Sequence, residues 1–174
     1  HFLPHQELYS FTGSMEAQGV GTNFLSNHTR LNAKAKVAQL HYGKYHINNL
    51  LAVAHVANGK VHADIDSNNQ LLKGLVSLDA LTNSKNLEGT VVADVRNVDL
   101  YLMGLTKVPM RATACGQVDL KTNLKEDHYL QAMLGSIAIK TQQKEYRPVD
   151  IVADVLTRRD TTHAVLNCGD FHLR

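Results

Sequence analysis

Leu50, Ala52, Ala54 and Val56 alternate with Leu51, Val53, His55 and Ala57, and after Asn58-Gly59 the alternation resumes as Val61, Ala63 and Ile65 against Lys60, His62, Asp64 and Asp66. A hydrophobic period of two predicts strands, because successive side chains point to opposite faces. Asn-Gly between two such runs predicts a two-residue type I′ turn, which needs positive φ at both central positions. That turn sets the register: Ala57 faces Lys60, Val56 faces Val61, Ala54 faces Ala63 and Ala52 faces Ile65. The last three pairs are apolar and share one face, so turn chemistry and patterning agree.

The same alternation recurs along the chain. It runs through Tyr9 to Ala17, Leu31 to Val37, Leu72 to Ala80, Leu87 to Val95, Met110 to Leu120, Leu130 to Leu134 and Val149 to Val155, and weakly through residues 162–173. The apolar parity slips at Gly135-Ser136, which predicts a β-bulge. One stretch breaks the pattern. Asp99 to Leu105, DLYLMGL, predicts a short helix near 99–105, with Asp99 as its cap and Gly104 at its end. Without longer helices between strands, the connections are hairpins and the sheet is antiparallel. The expected fold is all-β: a long antiparallel meander of about ten strands. It would curl into a half-open, taco- or barrel-like sheet with an apolar inner face, spanning 1–174 as a single segment.

Such a face must be covered by a second sheet, by closure into a barrel, or by a bound apolar ligand. At 174 residues the chain is long enough for one domain with a core. Aromatic residues are only 6% and Trp is absent, so buried surface would be aliphatic. The inward positions are unusually rich in Ala and Gly, which leaves room for something else to fill. The candidate lining is Leu50, Ala52, Ala54, Val56, Val61, Ala63, Ile65, Leu72, Val76, Leu78, Leu87, Val91, Ala93, Val95, Ala112, Ala114 and Val118.

Charge argues against two partner classes. A net charge of +2 gives no electrostatic footprint for nucleic acid or an anionic membrane. No run of 18 apolar residues exists to span a bilayer as a helix. The chain begins at His1 and reads as a mature form or an excised piece. Cys115 and Cys168 form one bridge in an oxidising compartment or stay as two thiols.

Ten histidines raise the question of metal. The hairpin register places His55 opposite His62 with Asp64 on the same side, a ligand set zinc could use. Those residues also suit a solvated outer face, and that reading is preferred. Cys168, Asp170 and His172 read as a second such set on one face. No nucleophile and base are paired by spacing, so no catalytic residue, metal or cofactor is expected.

Several motifs together resemble a known family. They are Gly21-Thr22-Asn23-Phe24-Leu25-Ser26, Tyr42-Gly43-Lys44-Tyr45 leading to Asn48-Asn49, the strand ending Asn58-Gly59, Leu71 to Ala80 (LLKGLVSLDA) and Val98 to Leu105 (VDLYLMGL). In this order they are similar to a segment of the TamB/AsmA-like envelope proteins. The resemblance covers most of the chain and implies a fragment of a much longer protein. It implies a periplasmic location, with the full-length protein anchored in the inner membrane outside this segment. It implies phospholipid acyl chains in a hydrophobic groove, transport between inner and outer membrane, and outer-membrane biogenesis beside a barrel partner of the BamA-like type. The alternatives are a scaffold that pairs with client β-strands and a closed, lipocalin-like small-molecule binder.

Overall fold

The computed structural model describes residues 8–21, 26–42, 45–83 and 85–173. Expectations attached to residues 1–7, 22–25 and 43–44, including parts of the first two family motifs, lie outside them.

Among the described residues twelve strands form one antiparallel sheet. They are β1 (Leu8–Val20), β2 (Arg30–Tyr42), β3 (Tyr45–Ala57), β4 (Lys60–Asn68), β5 (Leu72–Thr82), β6 (Leu87–Asp99), β7 (Met110–Thr122), β8 (Asp127–Thr141), β9 (Glu145–Tyr146), β10 (Ile151–Arg158), β11 (Thr161–Cys168) and β12 (Phe171–Leu173). Strand order follows the sequence, except that the two-residue β9 pairs with β8 beside β10. The sheet is a curled, half-open meander. Among the described residues β1 pairs with β2 alone and β12 with β11 alone, so the sheet is not closed, unlike the closed barrel that the lipocalin-like alternative requires.

The β3–β4 hairpin has the predicted register, from Ala57 opposite Lys60 to Ala52 opposite Ile65. Asn58 and Gly59 have φ of 53° and 74°, as a type I′ turn demands. Other turns are built on asparagine. Asn69 Oδ1 accepts from the N–H groups of Leu71 and Leu72, Asn83 Oδ1 from Lys85 and Asn86, and Asn123 Oδ1 from Lys125, Glu126 and Asp127. A short amide that mimics a backbone acceptor closes these turns without glycine.

The bulge at Gly135-Ser136 is present. Ser136 has φ of 52°, the β7–β8 register shifts between Thr113 and Cys115, and Asp150 Oδ1 accepts from Ser136 N–H. A second shift between Val95 and Val98 places Val98 opposite Leu72 and Ala112, on the aliphatic face.

The predicted helix is not formed. Asp99 does cap, its Oδ1 accepting from Leu102 N–H at 2.9 Å, and Gly104 does end the run at φ of 73°. Between them there is room for one i→i−4 bond, Met103 N–H to Asp99 O. Leu105 N–H already reaches back to Leu100 O, so the chain closes as a turn. One helical turn fixes too many dihedrals for the bonds it gains, and propagation never begins.

The expected core is also absent. Among the described residues the buried hydrophobic side chains are Val56, 4% exposed, and Ala138, 7% exposed. Every described strand lies in the one sheet, so the described residues supply no second layer against the aliphatic face. Among the described residues neither a second sheet nor barrel closure covers the aliphatic face.

Candidate functional site

The register of successive hairpins lines up the alternating positions into rows that cross the sheet. One row runs Ala17, Ala33, Ala54, Ala63, Leu78, Val91, Val118, Ala132, Ala153, Leu166 and Leu173. It touches every strand on the main path of the sheet and contains no polar residue. At roughly 4.8 Å between strands it is about 48 Å long. The next row toward the Asn58-Gly59 end passes through Leu31, Val56, Val61, Ala80, Leu120 and Leu130. The next row the other way passes through Met15, Ala52, Ile65, Val76, Ala93 and Leu134. Three adjacent rows are thus wholly apolar.

All seventeen residues predicted as lining fall on this face. Val56 is buried, Ile65 is 45% exposed, and the other fifteen are half-buried. The list stopped short, however. Ala17, Leu31, Ala33, Ala132, Ala153 and Leu166 continue the rows into β1, β2, β8, β10 and β11. The parity rule that found the central strands finds these too. Val98 carries no such signal, because a bulge puts it there.

The opposite face carries a polar row through Asn32, His55, His62, Asp79, Thr90, Asp119, Gln131 and Asp154. Its members bond along the row. His55 Nδ1 pairs with Asn32 Oδ1, His62 Nδ1 with Asp79 at 2.7 Å, Thr90 donates to Asp119 at 2.6 Å, and Gln131 donates to Asp154 at 2.8 Å. A depression of about 810 Å³ lies along this row, lined among others by His55, His62, Asp79, Thr90, Asp119 and Gln131. Its groups bond to one another in pairs along the row. Among the described residues no group of three or more His, Cys, Asp or Glu side chains is placed to hold a metal ion.

His62 also contacts Asp64 Oδ2 at 3.2 Å. The hydrogen bond to Asp79, then the one to Asp64, raises its pKa above the ordinary 6.5. Asp64 is lowered from 3.8, first by a hydrogen bond from Ser77 and then by His62. The signs give a window. The His62 contribution to stability is complete below pH 6.5 and fades as pH rises through the raised value; that of Asp64 is complete above 3.8 and fades in acid. An NMR titration of His62 is expected to show the elevation, and Asp79→Asn to remove most of it. An unchanged midpoint in that variant contradicts the assignment.

The second histidine and cysteine set does not assemble. Asn167 pairs with His172 and Cys168 with Phe171, so Cys168 and His172 lie on opposite faces. The Gly169-Asp170 turn reverses the parity that an unbroken strand would keep. Both cysteines are free thiols. Cys168 sits opposite Ile151 on the aliphatic side; Cys115 sits opposite Asp94 on the polar side and is exposed.

No protein-family model matches the chain, and searches of curated proteins and of solved structures return no match.

Proposed function

We propose that this chain is a non-enzymatic, lipid-conducting segment whose aliphatic face covers phospholipid acyl chains. The observation that carries this reading is the apolar row from Ala17 to Leu173, unbroken across the sheet and uncovered by any other part of the described chain. Each CH₂ kept from water is worth about 0.8 kcal/mol. Three rows span about 13 Å along the strands at two residues per row. That is close to half of the roughly 30 Å hydrocarbon core of a bilayer, the depth one acyl chain occupies. A chain lying along the strands is therefore covered over most of its length. Aliphatic contacts have no direction, so it can shift from strand to strand along the rows. The small side chains of Ala17, Ala33, Ala54 and Ala63 leave it space.

The family resemblance supplies the setting of this proposal. The segment works in the periplasm of a Gram-negative envelope, within a longer protein anchored in the inner membrane, and passes phospholipid toward an outer-membrane barrel partner. The self-satisfied polar row supports the non-enzymatic part of the reading.

The two native thiols test it without mutation. Loading with phosphatidylglycerol is expected to slow maleimide labelling of Cys168 by about ten-fold and leave Cys115 unchanged, since reaction follows access to the thiolate. Native mass spectrometry with lipid extraction should find phospholipid on the purified chain. Equal labelling rates with and without lipid, together with a lipid-free chain, would sink the proposal.

The sheet edges favour a second reading. β1 is a 13-residue edge strand whose Phe11, Met15 and Val20 are exposed, a template for a client strand added by main-chain bonds. Under that reading changes in β1 abolish binding and changes in the central rows do not.

A further inference from the structure

The two borders of the aliphatic rows differ. At the end with the Asn58-Gly59 turn, the next row on the same face is Thr82, Leu87, Thr122, His128, Thr157 and Thr162. At the other end the next row on the same face is Val37, Leu50, Ser67, Gly74, Val95 and Ala114, and beyond it lie Leu72, Val98, Ala112 and Ile139. There the loop of residues 100–109 is tied to β3, Tyr45 Oη donating to Met103 O at 3.0 Å. One border is lined by four threonine hydroxyls and an imidazole, the other by hydrocarbon apart from the buried Ser67.

We infer that a phospholipid lies in one orientation on this face, its phosphodiester along the Thr82–Thr162 border and its chain ends toward Leu72 and Ala112. The inference rests on the lipid-conducting reading above.

The border is rich in donors. Thr122 Oγ1 accepts from Leu124 N–H and lies 2.6 Å from His128 Nδ1. With the hydroxyl donating its hydrogen bond to Nδ1, the neutral ring carries its N–H on Nε2 and can donate from there. Thr157 and Thr162 share one hydrogen bond at 3.1 Å, so one O–H of the pair stays free. Thr82 is 6% exposed, and its Oγ1 is the one buried side-chain polar atom among the described residues without a hydrogen-bond partner. His128 further lines a depression of about 540 Å³ with Lys125, Glu126, Arg159 and Asp160. Arg159 is only loosely held by Glu126, at 3.9 Å. Hydroxyl, imidazole and cationic donors complement an anionic phosphodiester, which only accepts. The other border offers a phosphate nothing comparable. Its Ser67 and Asn69 are buried and bonded to each other and to the β4–β5 turn.

The test uses the whole chain carrying Cys115→Ser and Cys168→Ser, with one fluorophore attached at Leu87→Cys or at Ala93→Cys, three rows and about 20 Å apart on the same face. Phosphatidylglycerol bearing a nitroxide on its head group or near its terminal methyl serves as the quencher. The head-group nitroxide is expected to quench more strongly at position 87 and the chain-end nitroxide at position 93. Equal or inverted quenching overturns the orientation and leaves lipid binding intact. No quenching by either lipid at either position brings down the lipid-conducting reading itself. Independently, Thr157→Val with Thr162→Val keeps the β-branched shape and removes both hydroxyls. Affinity for phosphatidylglycerol is expected to fall on the order of ten-fold, the worth of a hydrogen bond to a charged group, while affinity for a fatty alcohol holds. An unchanged affinity for phosphatidylglycerol contradicts the role given to this border.

Discussion

Val91→Asp is expected to strip the chain of phospholipid, whereas Val92→Asp, one residue away, leaves loading intact. Both positions lie in the middle of β6 and both replace the same side chain, so their cost to strand propensity is matched. They differ in face. Val91 sits between Leu78 and Val118 in the central apolar row, and Val92 sits between Ser77 and Gln117 on the polar side. A carboxylate facing hydrocarbon costs about 3 kcal/mol on membrane-insertion scales. That corresponds to roughly a hundred-fold loss of affinity at 1.4 kcal/mol per decade. On the polar face the same carboxylate meets water. The measurement is lipid recovered per mole of folded protein, with circular dichroism confirming that both variants keep the sheet. If the two variants lose lipid equally, or neither does, the aliphatic face is not where the lipid lies.

That contrast is possible because side-chain direction was legible in the sequence. Ala54 opposite Ala63 follows from Asn58-Gly59 and a period of two, and no tertiary information is needed. Long strands amplify this: once one pair is fixed, every pair of the hairpin is fixed. The Gly135-Ser136 bulge was legible for the same reason, since a slip in parity is itself a local signal. Leu40 and Ile47 were not placed, because irregular positions intervene: Asn49 has φ of 51°, and Ala38 is skipped in the pairing of β2 with both β1 and β3. The short helix failed for a reason of length. Asp99 and Gly104 are correct end signals, but end signals do not show whether the residues between them repay nucleation.

The missing core was illegible for a different reason. Alternation reports that one face is apolar and says nothing about what covers it. Sandwich, barrel and uncovered sheet share the pattern HPHP along each strand. What separates them is the pairing of the first and last strands, a property of the whole chain. The abundance of Ala at inward positions was the only local hint. Its physical content is now plain: Ala33, Ala52, Ala54 and Ala63 face no second layer from the described chain, and side chains that small could not have filled one.

Gly59→Ala is expected to cost the sheet roughly 2–3 kcal/mol, and Gly116→Ala to cost nothing. Gly59 has φ of 74°, where an L side chain loses about 1–2 kcal/mol to its own backbone. A Cβ there would also clash with Thr82 O and stand 2.7 Å from Asn27 Oδ1. The carbonyl of Thr82 is poorly free to move, because Thr82 N–H donates to Gly59 O at 2.7 Å. Relieving the clash weakens that bond, worth about 1 kcal/mol. The turn thus does two things: it sets the β3–β4 register, and it ties the tip of that hairpin to the end of β5. Gly116 is the control. It lies inside β7, and a Cβ there would meet Leu134 Cδ1 at 3.4 Å and Met133 O at 3.5 Å, ordinary contact distances. Adding that methyl fills the aliphatic face and lowers the entropy of the unfolded chain, for a gain of about 0.5–1 kcal/mol. Urea unfolding followed by circular dichroism reads both. Equal midpoints for the two variants would show that the turn does not set the register, and that the rows across the sheet depend on something other than the Asn58-Gly59 hairpin.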